Sequence, residues 1–231
     1  MRTICAFDIY GTLFDMRTVL PVLAAGVRDQ EEFYRLWRFK LIHYLAITSA
    51  IGTFVDLPVL REKAFDFCVK ELGTGTSERV KRDFLEASLY LKPFNDVRPG
   101  LERLRKAGTK VIALSTGLKD DLLAMFARAK LQDCFDAVIT NKEAGIYKPH
   151  PRAYLYAAER LGVAPSEMRM VAAHPWDLIG ARNAGLRPAW LRRAELAGLE
   201  SRTYDTIDEM PELVADSLTE LVEKIIATDL G

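Results

Sequence analysis

Four short apolar runs, each closed by small or polar residues, constrain this chain more than any other feature. They are Ile4 to Phe7 ending at Asp8, Lys110 to Leu114 before Ser115-Thr116-Gly117, Phe135 to Ile139 before Thr140-Asn141, and Met168 to Ala173 before His174-Pro175. Pro188 to Leu191 is a fifth, weaker run. Runs that are apolar on both sides and separated by helical stretches of about 10–15 residues predict strands of a parallel sheet covered on both faces. Such sheets bind ligands outside the carboxyl ends of their strands. The fold class read from the sequence is therefore α/β. Asp8, Ser115, the stretch near Lys148 and the His174–Asp177 stretch are predicted to ring one crevice.

The segment from Thr18 to Leu91 breaks this rhythm, with helical periodicity and no convincing strand. Phe33, Leu36, Trp37, Leu41, Tyr44 and Leu45 form one apolar stripe, with Asp29 as its expected N-cap and Glu31 and Glu32 in the first turn. Leu57 to Leu72 and Glu78 to Leu91 predict two more amphipathic helices around Gly73-Thr74-Gly75-Thr76. Lys92 to Asp96 reads as a return linker, and Glu212 to Ile226 as a final packing helix. The expected organisation is a core domain over 1–15 and 96–231, with a helical cap domain over 16–95 inserted after the first strand. A lid over a crevice excludes water from chemistry.

Composition narrows the function classes. Lysine plus arginine equals aspartate plus glutamate at 32 each, so no net field draws the chain to nucleic acid or anionic lipid. A small-molecule partner is expected. Cys5, Cys68 and Cys134 are scattered singly, which argues against a disulfide framework or zinc cluster and fits a reducing compartment. No apolar run approaches the roughly 20 residues of a membrane span, and the start does not read as a signal peptide. A cytoplasmic location is expected.

The most informative stretch is Asp8-Ile9-Tyr10-Gly11-Thr12-Leu13-Phe14-Asp15. An aspartate at a buried strand's end, followed by glycine and threonine, lies where backbone N–H groups converge on an anion. This stretch resembles the first motif of the haloacid dehalogenase superfamily. Ser115-Thr116-Gly117 resembles its second motif, Tyr147-Lys148-Pro149 its third, and Trp176-Asp177-x-x-Gly180-Ala181 its fourth. Trp37-Arg38-x-Lys40 and Lys148-Pro149-x-Pro151-Arg152-x-Tyr154 resemble elements of the type II (L-2-haloacid) dehalogenases within it.

That resemblance implies a Rossmann-like core with a helical cap, a homodimer, and hydrolysis of a short L-2-haloacid to a 2-hydroxyacid through an ester on Asp8. It implies catalytic roles for Asp8, Lys148 and Asp177, and substrate contacts from Thr12, Tyr10, Arg38, Ser115, Thr116, Tyr154 and Trp176. Periodicity alone would nominate Lys40 over Arg38, since Lys40 falls at the centre of the apolar stripe. No cofactor and no metal are expected: Tyr10 stands where superfamily phosphatases carry a second aspartate, and Asp8 with Asp177 makes a poor magnesium site. The chain departs from the type II pattern at Thr116 (an asparagine there), Ala172 (a serine) and His174 (an asparagine). His174 either activates water or only hydrogen-bonds loop backbone; His43 and His150 read as structural. The alternatives are a small-metabolite phosphatase of the same superfamily and a binding member without chemistry.

Overall fold

The structure, a computed structural model, describes residues 3–196 and 210–230. The rest of the expected core domain lies outside the described residues. Six parallel strands form one sheet in the order β5-β4-β1-β6-β7-β8: β1 Ile4–Phe7, β4 Lys110–Ser115, β5 Ala137–Thr140, β6 Met168–Ala172, β7 Arg187–Leu191 and β8 Leu213–Ala215. The five expected strands are all present. Strand β1 lies in the middle, with Phe7 level with Ala113 on one side and Val171 on the other.

Side chains alternate between two buried layers, as a pleated strand requires. Cys5, Phe7, Val111 and Val171 pack on one face with Leu101, Leu104, Leu221 and Ile225. Ile4, Ala6, Ile112 and Met170 pack on the other with Ala153, Tyr154 and Leu178. The covering helices are α5 Val97–Lys106, α6 Lys119–Arg128, α7 Asn141–Ala144, α8 Pro151–Leu161, α9 Pro175–Asn183 and a C-terminal helix Leu218–Asp229. All three cysteines are free and buried. Burial pushes the Cys5 thiol up to about 12, which leaves it a packing residue.

Between β2 (Phe14–Asp15) and β3 (Lys92–Pro93) the chain is helical: α1 Leu20–Leu23, α2 Gln30–Ala50, α3 Leu57–Glu71 and α4 Glu78–Ala87. Asp29 caps α2 by accepting from the Glu32 N–H. Phe33, Trp37, Leu41 and Leu45 are buried along that helix at the expected spacing. Trp37 and Phe84 meet edge to face at 4.9 Å, so α2 and α4 are packed through aromatic rings.

Two local readings are corrected. The stretch taken as a return linker contains β3, which pairs antiparallel with β2, Phe14 opposite Pro93. The chain thus leaves and re-enters the sheet domain through one two-stranded ribbon. Glu212 to Ile226 is not one helix: Leu213–Ala215 adds β8 beside β7, and Ser217 caps a helix that starts at Leu218. A three-residue apolar run has no periodicity of its own, so only the serine marked the true start.

Among the described residues no helix is long and apolar enough to cross a membrane.

Candidate active site

The strand ends deliver the side chains. Asp8 follows β1 directly, and its N–H still donates to Val171 O at 3.0 Å, so its backbone is held by the sheet. The chain then turns at Gly11, whose φ of +82° suits glycine; a Cβ there would lie 3.0 Å from His174 Nε2. This tight turn brings Thr12 back under Asp8. The Thr12 hydroxyl donates to Asp8 Oδ2 at 2.7 Å and accepts from Ala173 N–H at 2.9 Å.

Lys148, fully buried, binds three oxygens with one ammonium: Asp8 Oδ1 at 2.9 Å, Asp177 Oδ2 at 2.6 Å and the Leu114 carbonyl at 3.0 Å. Its donors are saturated, which fixes both carboxylates. Asp177 stands in the first turn of α9, and its other oxygen accepts from the Tyr154 hydroxyl at 2.6 Å. Gly180, one turn further along, lets α9 approach closely: a Cβ there would meet Pro149 O at 2.4 Å.

The carboxylates differ electrostatically. Burial works against ionising Asp8, but Lys148, His174 and the Thr12 hydroxyl outweigh it and hold the carboxyl below its ordinary value. At Asp177 burial prevails over Lys148, and the nearby Asp8 charge adds to it, so its carboxyl is pushed up. Burial alone would lower Lys148; the two carboxylates reverse that and raise it. The trio therefore holds one carboxylate ready as an anion and another better able to accept a proton.

The structure sorts the sequence-predicted residues into two groups. Asp8, Tyr10, Arg38, Thr116, His174 and Trp176 line one pocket. Thr12, Ser115 and Tyr154 are fully buried behind it. Ser115 Oγ accepts from Gly117 N–H at 3.2 Å, and Tyr154 orients Asp177, so both shape the site from outside the pocket. The structure places Arg38 and Lys40 differently. Arg38 lines the pocket, whereas the Lys40 ammonium lies over the Phe67 and Tyr44 rings at 4.2 and 4.9 Å. Lysine stems often lie across apolar surface in this way.

His174 stacks on Trp176 at 5.3 Å, with its Nε2 2.8 Å from the Tyr10 carbonyl and 3.8 Å from Asp8 Oδ2. A carbonyl only accepts, so Nε2 carries the hydrogen and donates it to Tyr10, with Asp8 beyond hydrogen-bond range. The N–H groups of Ile9, Tyr10 and Thr116 have no acceptor among the described residues. Buried amides are normally paired, so this rim is suited to an anion.

Sequence reasoning missed the roof of the pocket. Met16, Leu41, Leu45 and Leu57 supply apolar wall, and Arg61 supplies a second guanidinium. The signal was present: Arg61 sits on the buried face of α3 with Leu57, Leu60, Ala64, Phe65 and Cys68. A charge on an apolar stripe is the oddity worth noting. Also missed was Arg193, whose Nε donates to Thr12 O at 3.0 Å while its fork binds Asp96 at 2.8 and 2.9 Å. Among the described residues no group of three or more His, Cys, Asp or Glu side chains is placed to hold a metal ion.

Fold and site together define an α/β hydrolase. A family model described as haloacid dehalogenase-like hydrolase matches residues 3–185, and the chain belongs to that family. It is 30% identical over 94% of its length to the (S)-2-haloacid dehalogenase of Pseudomonas sp. (strain YL), covering 92% of that protein. It is 34% identical to the (S)-2-haloacid dehalogenase of Xanthobacter autotrophicus over 81% of this chain and 74% of the other. The structure of the L-2-haloacid dehalogenase from Xanthobacter autotrophicus with chloropropionic acid covalently bound superposes with a TM-score of 0.86 at 29% identity, over 99% of this chain and 100% of that one.

Proposed function

We propose that the chain hydrolyses the carbon–halogen bond of short-chain L-2-haloacids, with the Asp8 carboxylate as nucleophile. One observation carries the reading: a buried carboxylate, held ionised by an ammonium at 2.9 Å, opens into a pocket walled by apolar side chains. A desolvated carboxylate is a stronger nucleophile than a hydrated one.

An Asp8 oxygen attacks C2 from behind. The new C–O bond forms as the carbon–halogen bond breaks, and halide leaves with the electron pair towards Arg38 and Thr116. The rim N–H groups hold the substrate carboxylate, while Tyr10 and Trp176 exclude water. Water then attacks the Asp8 ester carbonyl and gives its proton to Asp177. Collapse of the tetrahedral adduct breaks the acyl C–O bond, Asp177 returns its proton to the departing alkoxide to give the 2-hydroxyacid, and the new Asp8 carboxyl loses its proton to solvent. His174 stands beside Asp8 with its Nε2–H given to the Tyr10 carbonyl, so to act as a base it would have to use Nδ1. Lys148 balances the charge throughout.

Helices α1 to α4 act in this reading as the cap domain, 16–95, over a core of 1–15 and 96–231. Phe39, Ile47 and Ile51, exposed along and just after α2, supply the apolar face of a homodimer; sedimentation at the monomer mass would remove that element. The free cysteines fit a cytoplasmic location.

Single turnover in ¹⁸O-labelled water tests the mechanism. The first product carries unlabelled oxygen from Asp8, and label enters the enzyme; label in that first product would exclude the ester route.

A further inference from the structure

Among the described residues, Arg61 is a buried cation with no carboxylate paired to it. It is 6% exposed. Nη1 donates to Ser88 Oγ at 3.0 Å, and the guanidinium lies 5.1 Å from the centre of the Tyr10 ring. Its backbone carbonyl accepts from Trp37 Nε1 at 3.2 Å, which fixes the turn of α3 that carries it. Nε is buried without an acceptor, and among the described residues neither Nη2 nor any carboxylate completes the pairing. A guanidinium taken out of water without a counter-charge is costly, so its persistence in a pocket shared with Asp8 asks for an anion that arrives from outside.

We infer that Arg61 is a substrate-binding residue whose open Nε–Nη2 edge receives a carboxylate of the haloacid. The inference rests on the dehalogenation proposed above and adds what recognises the acid. A planar fork matches the two oxygens of a carboxylate better than a spherical halide. The rim N–H groups share the substrate carboxylate with it, and the side chains of the pocket floor add little. Ala172 and Ala173 carry no donor side chain, Thr12 and Ser115 are buried behind the pocket, and His174 Nε2 is engaged by the Tyr10 carbonyl. Either the C1 carboxylate or a second acid group on the substrate can fill the edge.

Arg61→Met and Arg61→Lys, checked for folding by thermal melting, are compared with the unmodified enzyme on L-2-chloropropionate and L-2-chlorosuccinate. Binding of the unreactive propionate and succinate is measured by calorimetry alongside. If Arg61 holds C1, the Met variant raises KM for both substrates about 30-fold, the scale of a lost hydrogen bond to a charged group. It also loses both analogues, with kcat within about threefold. If Arg61 holds a second acid group, only the chlorosuccinate KM and succinate binding suffer. The Lys variant keeps the charge without the fork and falls between. Unchanged KM and unchanged analogue binding in a folded variant overturn the inference. So does a loss confined to kcat with weaker product inhibition by chloride, which would give Arg61 to the halide. Binding of propionate through Arg61 without halide release would leave the carboxylate site standing and remove the dehalogenase reading.

Discussion

Two buried charge clusters lie near opposite ends of β6, and they are built differently. Towards its amino end, Arg169 meets Asp229 through Nε and Nη2, both at 2.6 Å, and Arg187 adds a bond to the same carboxylate at 2.7 Å. Glu212 lies 3.5 Å from Arg169 Nη2, so two guanidiniums meet two carboxylates, and the cluster locks the C-terminal helix to the sheet. At the carboxyl end, one ammonium serves two carboxylates, leaving a negative charge that it does not match, and the cluster opens on a pocket with guanidinium groups in its roof. Balanced pairing suits stability, whereas an unbalanced pair beside a cavity suits chemistry.

The largest test of that contrast is Asp8→Asn. Halide release should fall by at least about 10⁴-fold, the scale of losing a catalytic group that acts as part of a unit. The fold should persist, because Lys148 keeps Asp177; thermal melting and halide assay together check it. Asp229→Asn is the converse. It strands Arg169 and should cost about 3–5 kcal/mol, a fall in Tm on the order of 10 °C, with kcat per folded molecule within about twofold. A loss of activity from Asp229→Asn without a loss of Tm would erase the distinction. The smallest effect is in the pH profile. In the proposed mechanism Asp177 must be ionised to take a proton, and its carboxyl is raised, so kcat should fall as pH drops through a value above the ordinary aspartate pKa of about 3.9. Tyr154 supports the ionised form, so Tyr154→Phe should move that limb to higher pH. In stability the signs differ: Asp8, lowered, stabilises above its unfolded pKa and loses this as pH falls through the folded one. Asp177, raised, subtracts stability as pH rises past its unfolded pKa.

Much of this was legible in the chain. Buried strands announce themselves as apolar runs, and the polar residues that end them mark the crevice, so the sequence alone gathers Asp8, Lys148, His174 and Asp177 around it. Their depth could not. Thr12, Ser115 and Tyr154 share motifs with pocket residues yet lie behind the pocket, because burial depends on how α8 and α9 pack. The placement of Lys40 away from the pocket depends on the rings of Phe67 and Tyr44, and Phe67 comes from another helix. Arg61 and Arg193 act across long sequence separations, through contacts that no local pattern encodes.

The tie from Arg193 to Thr12 spans 181 positions, and the one from Lys148 to Asp8 spans 140. During synthesis Asp8 and Thr12 leave the ribosome long before Lys148 and Arg193 have emerged. Until then the carboxylate is an ordinary hydrated one, without the buried ammonium that holds it in the folded chain. Reactivity arrives only when the late strands close on the early one, so competence to react doubles as a signature of finished folding.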